Sequence, residues 1–207
     1  MDLSLVAQPW WVNLALLVPV TTYFWCRRSS IAVTATQLIL VGLFATAFGF
    51  LEATVVVYLR AASGLLPGYQ ATLADIAQIT DQSQAAGQLP PSLLKLEVLR
   101  EAATMIMLIT IALLAPVKTI GRVAVFLWAF AIWDIVYYAS LWVTIGWPQS
   151  INDNDVLFLI PQPWFAPVWF PLLVSGLTLL AIVLTRADPA KHTSPLIVRG
   201  TGKATSP

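Results

Sequence analysis

Long apolar runs separated by short polar breaks dominate the chain. Five runs, near residues 10–26, 33–59, 95–116, 123–146 and 165–185, carry few or no charges. Each is close to, or beyond, the ~20 residues a helix needs to cross roughly 30 Å of hydrocarbon. The pattern predicts an all-α integral membrane protein, a five-span transmembrane helix bundle with a short external interfacial helix and loop cap. A single transmembrane domain is expected over 1–186, followed by a polar, disordered cytoplasmic tail over 187–207. The first run is the shortest and contains Pro19, which predicts a kink or tilt. No basic residue precedes it and Arg27 and Arg28 follow it, the reverse of a secretory signal, so it reads as a retained span.

Two connections on one side are more than tethers. Residues 61–94 open with Gly64, Pro67 and Gly68 and close with Gly87, Pro90 and Pro91. Between these breakers, Leu73, Ile76 and Ile79 recur at helical spacing, which predicts a short helix on the outer surface. Residues 147–164 combine a polar turn with the run DVLFLIP, which is too short to cross and is expected at the interface. Trp147, Trp164 and Trp169 suit the aromatic belt of a membrane surface.

Composition agrees with the pattern. Of 207 residues, 58% are hydrophobic and 10% charged, where soluble domains carry roughly 25% charged residues. Mean hydropathy is +0.80. A net charge of +1 gives no reason to expect a nucleic acid partner. One cysteine, Cys26, and one histidine, His192, exclude an internal disulfide and a Cys/His metal cage within one chain. No cofactor is specified.

Charge sets the orientation. Arg27, Arg28, Lys118, Arg122, Arg186, Lys191, Arg199 and Lys203 are eight of the eleven Lys and Arg residues, and all fall on one side of a five-span path. The positive-inside rule makes that side cytoplasmic, with the N-terminus outside and the C-terminus inside a cell membrane.

The chemistry lies in acids inside the spans. The third run starts KLEVLREAAT, with Lys95, Glu97, Arg100 and Glu101 before sixteen uncharged residues. Glu97 and Glu101 are one turn apart on one helical face, and Arg100 lies on an adjacent stripe. Acids in the first turns also suit the helix dipole, yet Glu101 lies ~9 Å deeper than Lys95. Glu52 lies eight residues before Arg60 in the second run. Asp134 lies ~18 Å below the end of the fourth run, with Tyr137 and Tyr138 one turn nearer the outside. Each such acid costs ~2.5–3.5 kcal/mol on insertion scales, so each should face the bundle interior and find a partner.

Four carboxylates around Arg100 cannot all be ionised in a dry site. Either some hold protons, or Arg60 and Lys95 turn inward, or a cation visits. These positions predict a polar cavity open to the outer face, with Glu52, Glu97, Arg100, Glu101, Asp134, Tyr137, Tyr138 and Arg60 as its ligand- or ion-binding set. Asp134 and Glu101 would accept protons or cations, and Arg100 would be the counter-ion. The expected function is to bind or pass a cation, proton or small polar solute. Two other readings stand beside it: a carboxylate-metal enzyme acting on lipid headgroups, and an accessory subunit whose Glu–Arg pairs only lock packing. Besides the lipid bilayer, the expected partner is a second copy of the chain or a larger membrane complex, since five spans without a repeat make a small transporter.

Overall fold

The computed structural model describes residues 6–29, 31, 33–64, 91–115 and 117–186. The expected surface helix within 61–94 and the expected disordered tail from 187 lie outside the described residues.

The described chain is mostly helical. A 3-10 helix, Trp10–Leu16, leads directly into α1, Leu17–Ser29. Pro19 is the third residue of α1, immediately after the 3-10 helix. It therefore stands at the junction of the two helix types rather than in the middle of an α-helix. α2 spans Ala35–Gly64. Thr34 and Gln37 start it reciprocally: Gln37 N–H donates to Thr34 Oγ1 at 3.2 Å and Thr34 N–H donates to Gln37 Oε1 at 2.8 Å. Two N–H groups at the helix start are thereby satisfied.

α3 covers Pro91–Leu114 and α4 covers Thr119–Ile145. Gly146 ends α4 in the left-handed region, φ 70°, with its N–H on the Trp142 carbonyl at 2.9 Å. After the hairpin described below, α5 runs over Trp169–Thr185.

α4 is the central helix, packed against α2, α3 and α5, and α1 lies along α5. Two glycines set the α2–α4 approach. A Cβ at Gly42 would stand 3.3 Å from Ile132 Cδ1, and one at Gly49 would stand 2.7 Å from the Trp133 carbonyl oxygen. The two glycines are seven residues apart, about two turns, so both face α4.

Ile39, Leu43, Leu99, Leu114, Val143 and Leu184 are each more than 60% exposed, while Glu52, Arg60, Thr104, Asp134, Ser175 and Thr178 are buried. Scattered exposed apolar residues are ordinary, but this many large ones on the outward helix faces, with acids and an arginine buried beside an apolar core, are not. Among the described residues, two helices are long and apolar enough to cross a membrane, α2 over Ala35–Ala61 and α4 over Thr119–Ile145; α5 is a shorter apolar helix.

One feature departs from the all-α expectation. The DVLFLIP region forms β1, Asn154–Phe158, paired antiparallel with β2, Trp164–Pro167. Asn154 pairs with Pro167, Asp155 with Ala166 and Val156 with Phe165, with an irregularity before Phe158–Trp164. Gln8 extends the pairing as a bridge to Phe165, exchanging N–H···O bonds at 2.8 and 2.7 Å. A short apolar run that cannot span still has backbone groups to satisfy, and a hairpin satisfies them locally. The antiparallel return brings both ends of the hairpin back to the mouth of α5.

Candidate functional site

α3 presents one buried stripe: Glu97, Glu101, Thr104, Leu108 and Ala112. Steps of three and four residues keep these on one face. The upper half of the stripe is polar and the lower half apolar, which is the structural meaning of the charged head of the KLEVLREAAT run.

Arg100, at the edge of that stripe, binds two acids. Its Nε donates to Glu97 Oε2 at 2.9 Å and its Nη2 lies 2.8 Å from the same oxygen. Its Nη1 pairs with Glu52 Oε2 from α2, and Thr104 Oγ1 donates to Glu52 Oε1. Both oxygens of Glu52 are thus engaged by α3. These side chains bridge two helices whose backbones are not closely packed on each other.

Glu101, one residue on, turns to the hairpin. The Leu159 N–H, just beyond β1, donates to both of its oxygens at 2.9 and 3.0 Å. Among the described residues Glu101 has no ion-pair partner; Arg100 is committed to Glu52 and Glu97. Between these groups lies a cavity of about 40 Å³, bounded by Glu52, Arg100, Glu101 and Thr104 on one side and by Trp133, Tyr137 and Phe158 on the other. Trp133 is 9% exposed, and its buried indole N–H has no hydrogen-bond acceptor among the described residues.

The remaining candidates are placed elsewhere. Asp134 is buried but faces α5, where Ser175 Oγ donates to its Oδ2 at 2.7 Å. Tyr137 and Tyr138 diverge, as neighbours on a helix must at about 100° per residue. Tyr137 lines the cavity and stacks on Trp133 at 6.2 Å, whereas the Tyr138 hydroxyl donates to Asp155 Oδ2 of β1 at 2.7 Å. Arg60 does not reach out to the surface: it is 2% exposed, with its guanidinium 4.2 Å from the centre of the buried Trp147 ring. Lys95 is exposed.

The structure therefore brings Glu52, Glu97, Arg100, Glu101 and Tyr137 together; Asp134 turns to α5, and Tyr138, its ring 5.1 Å from that of Tyr137, and Arg60 are not part of the cavity wall. Sequence reasoning missed Thr104 and Trp133. Thr104 was legible in principle, three residues beyond Glu101 on the same stripe. Trp133 was hidden because its polar atom is a single N–H on a large apolar body. It also missed Ser175 as the partner of Asp134, since nothing in the chain fixes which face of α5 meets α4. Among the described residues, no group of three or more His, Cys, Asp or Glu side chains is placed to hold a metal ion. Comparison with protein-family models, with curated proteins and with solved structures finds no match to this chain.

Proposed function

We propose that the chain is a multi-pass protein of the cell membrane, with its N-terminus outside and its C-terminus cytoplasmic. Its carboxylate–arginine site binds or passes a proton, a small cation or a small polar solute from the outer face. Five spans fit the element lengths. The 3-10 helix and α1 together reach ~34 Å at ~2.0 and 1.5 Å per residue. α3, with 24 residues, reaches ~36 Å. α5 supplies ~25 Å, and β2 precedes it directly. The apolar outward faces support lipid as the surrounding solvent, and the eight basic residues on one side support the orientation.

The observation that carries the ligand reading is Glu52, 3% exposed, held by Arg100 and Thr104 at the wall of a small cavity that Glu101 also lines. Glu52, Glu97 and Glu101 outnumber Arg100 three to one, so the site favours gaining positive charge. A carboxylate surplus inside an apolar bundle costs stability, which packing alone gives no reason to keep.

Purified protein in detergent and in liposomes tests this. A change in Tm between choline, Na⁺ and K⁺ chlorides or across pH is expected, or uptake of protons or Na⁺ beyond protein-free liposomes. The uptake and the cation response should be lost in Glu101→Gln and kept in Asp134→Asn. A Tm indifferent to pH and to every cation, with no uptake, would overturn the proposal.

A further inference from the structure

Resting on that reading, we infer that the ligand of the cavity is a water-borne proton: Glu101 exchanges a proton with water held between its carboxyl, the Trp133 indole N–H and the Tyr137 hydroxyl. Three observations point to water rather than to a metal cation or a solute.

The first is size. A cavity of about 40 Å³ holds a few waters at ~10–15 Å³ of accessible volume each, and small-molecule sites are ~300–1,000 Å³. The second is the donor count. Trp133 N–H is a buried donor without an acceptor among the described residues, and a metal cation cannot accept a hydrogen bond. Water can: its oxygen accepts from the indole while its hydrogens serve carboxylate oxygens. The third is charge. The Arg100 guanidinium lines the same cavity, and both Glu52 oxygens are already used by Arg100 and Thr104. A hard cation needs around six oxygen ligands and would face a fixed positive charge.

Glu101 is the proton carrier because its partner, the Leu159 amide, is neutral. The charged and titratable groups around it are Glu97 and Arg100 on α3, Glu52 on α2 and Tyr137 on α4. The hairpin contributes the Leu159 and Ile160 amides and Phe158, while its Asp155 accepts from Tyr138. The step balances without a co-reactant. Carboxylic Glu101 gives its proton to the water, the water gives one of its own protons to the outer solution or to a neighbouring water, and the water molecule is regenerated. Glu52–Arg100 stays fixed as the neighbouring charge pair.

Infrared spectroscopy of the full chain in detergent reads this directly. One carboxylic C=O band should disappear as pH rises, be absent in Glu101→Gln and persist in Asp134→Asn. Its midpoint should be the same in choline, Na⁺, K⁺ and Mg²⁺ chlorides of equal ionic strength. Trp133→Phe should move the midpoint, while Trp164→Phe, which removes another buried indole N–H without a partner, should not. A midpoint that falls by about one pH unit per tenfold Na⁺ or K⁺, as simple competition requires, would overturn the inference and leave the outward cation site standing. A midpoint unmoved in Trp133→Phe would overturn the water bridge. If no Glu101 band titrates and no cation has any effect, the inference fails together with the proton and cation forms of the proposed function. The cation comparison needs only the unsubstituted protein, so it decides even where a variant does not fold.

Discussion

Gly49 of α2 lies against the carbonyl of Trp133 on α4, so close that a methyl group at Gly49 would stand 2.7 Å from that oxygen and 3.1 Å from Val136 Cβ. The contact is to backbone, which cannot swing aside as a side chain could. It lies one turn below Glu52 on α2 and at the very residues of α4, Trp133 and Tyr137, that line the cavity. The spacing of the two helices, and so the volume between their polar groups, is set here. Gly49→Ala should push α2 from α4 and destabilise the protein by ~1–3 kcal/mol, the usual cost of overpacking. Gly176 has nothing within 4 Å of its hypothetical Cβ. Gly176→Ala should therefore be neutral or stabilising by up to ~1 kcal/mol from helix propensity. Tm in one detergent, compared for the two variants, is the measurement; equal losses would remove the close-approach account.

Arg100 joins α3 to α2 through Glu52, and its side chain is 29% exposed while that of Glu52 is 4% exposed. Removing one partner of a fully buried pair costs ~3–5 kcal/mol; partial exposure lowers the expectation for Arg100→Met to ~2–3 kcal/mol. Combining it with Glu52→Gln should cost less than the two singles together, because the second change removes the charge the first leaves uncompensated. Combining it with Asp134→Asn should be additive within ~0.5 kcal/mol, since Asp134 bonds Ser175 and not Arg100. Chemical or thermal unfolding in detergent gives both coupling energies. Coupling to Asp134 as large as to Glu52 would contradict the two separate arrangements.

How far the sequence carried the picture depends on which physical signal each feature has. Apolar runs long enough to form helices are counted directly, and the helices stand close to where those runs lie. Glu97, Arg100 and Glu101 are spaced within one helix, so their shared edge could be read from 3.6-residue geometry, and Glu52 was the partner a deep arginine required. The hairpin was not legible: Asp155 to Phe158 and Trp164 to Pro167 mark no strong two-residue alternation, and their pairing is fixed by Gln8, Tyr138 and Glu101 from distant parts of the chain. Asp134 was assigned to the Arg100 site on depth alone. Depth is shared by every face of a helix, and the face Asp134 presents goes to α5.

Orientation across the membrane is open to direct measurement. Asn152 is exposed in the turn before β1, and Lys118 is exposed between α3 and α4. In a Cys26→Ser background, Asn152→Cys should react with an impermeant maleimide added to intact cells. Lys118→Cys should react only after the membrane is opened. The Arg27–Arg28 pair and Lys118 with Arg122 set this expectation through the positive-inside rule. The reverse pattern would place the carboxylate site on the cytoplasmic half and overturn its outward access.

Glu101 has a second role that a separate measurement can isolate. Its two oxygens receive the Leu159 N–H, and Phe158, the residue before Leu159, forms part of the cavity wall. The same carboxyl therefore lines the site and fixes the end of β1 over it. On the other side of the hairpin Asp155 accepts from Tyr138 of α4, so the two attachments hold the strand from opposite ends. Glu101→Ala should free the Leu159 amide and leave the Tyr138–Asp155 bond in place. Hydrogen exchange at the Leu159 amide should then rise by about tenfold or more, the equivalent of losing roughly 1.4 kcal/mol of local protection, within the range of one ordinary protein hydrogen bond. Exchange at the Val156 amide, which donates to Asp155 Oδ1 at 2.9 Å, should change far less. Tyr138→Phe should show the opposite ranking, with Val156 more affected than Leu159. Glu101→Gln keeps an acceptor oxygen and should protect Leu159 nearly as well as the carboxylate, even though it removes the titratable group. Uniform acceleration of both amides in Glu101→Ala would mean that the hairpin opens as one unit and that Glu101 does not fix its end locally.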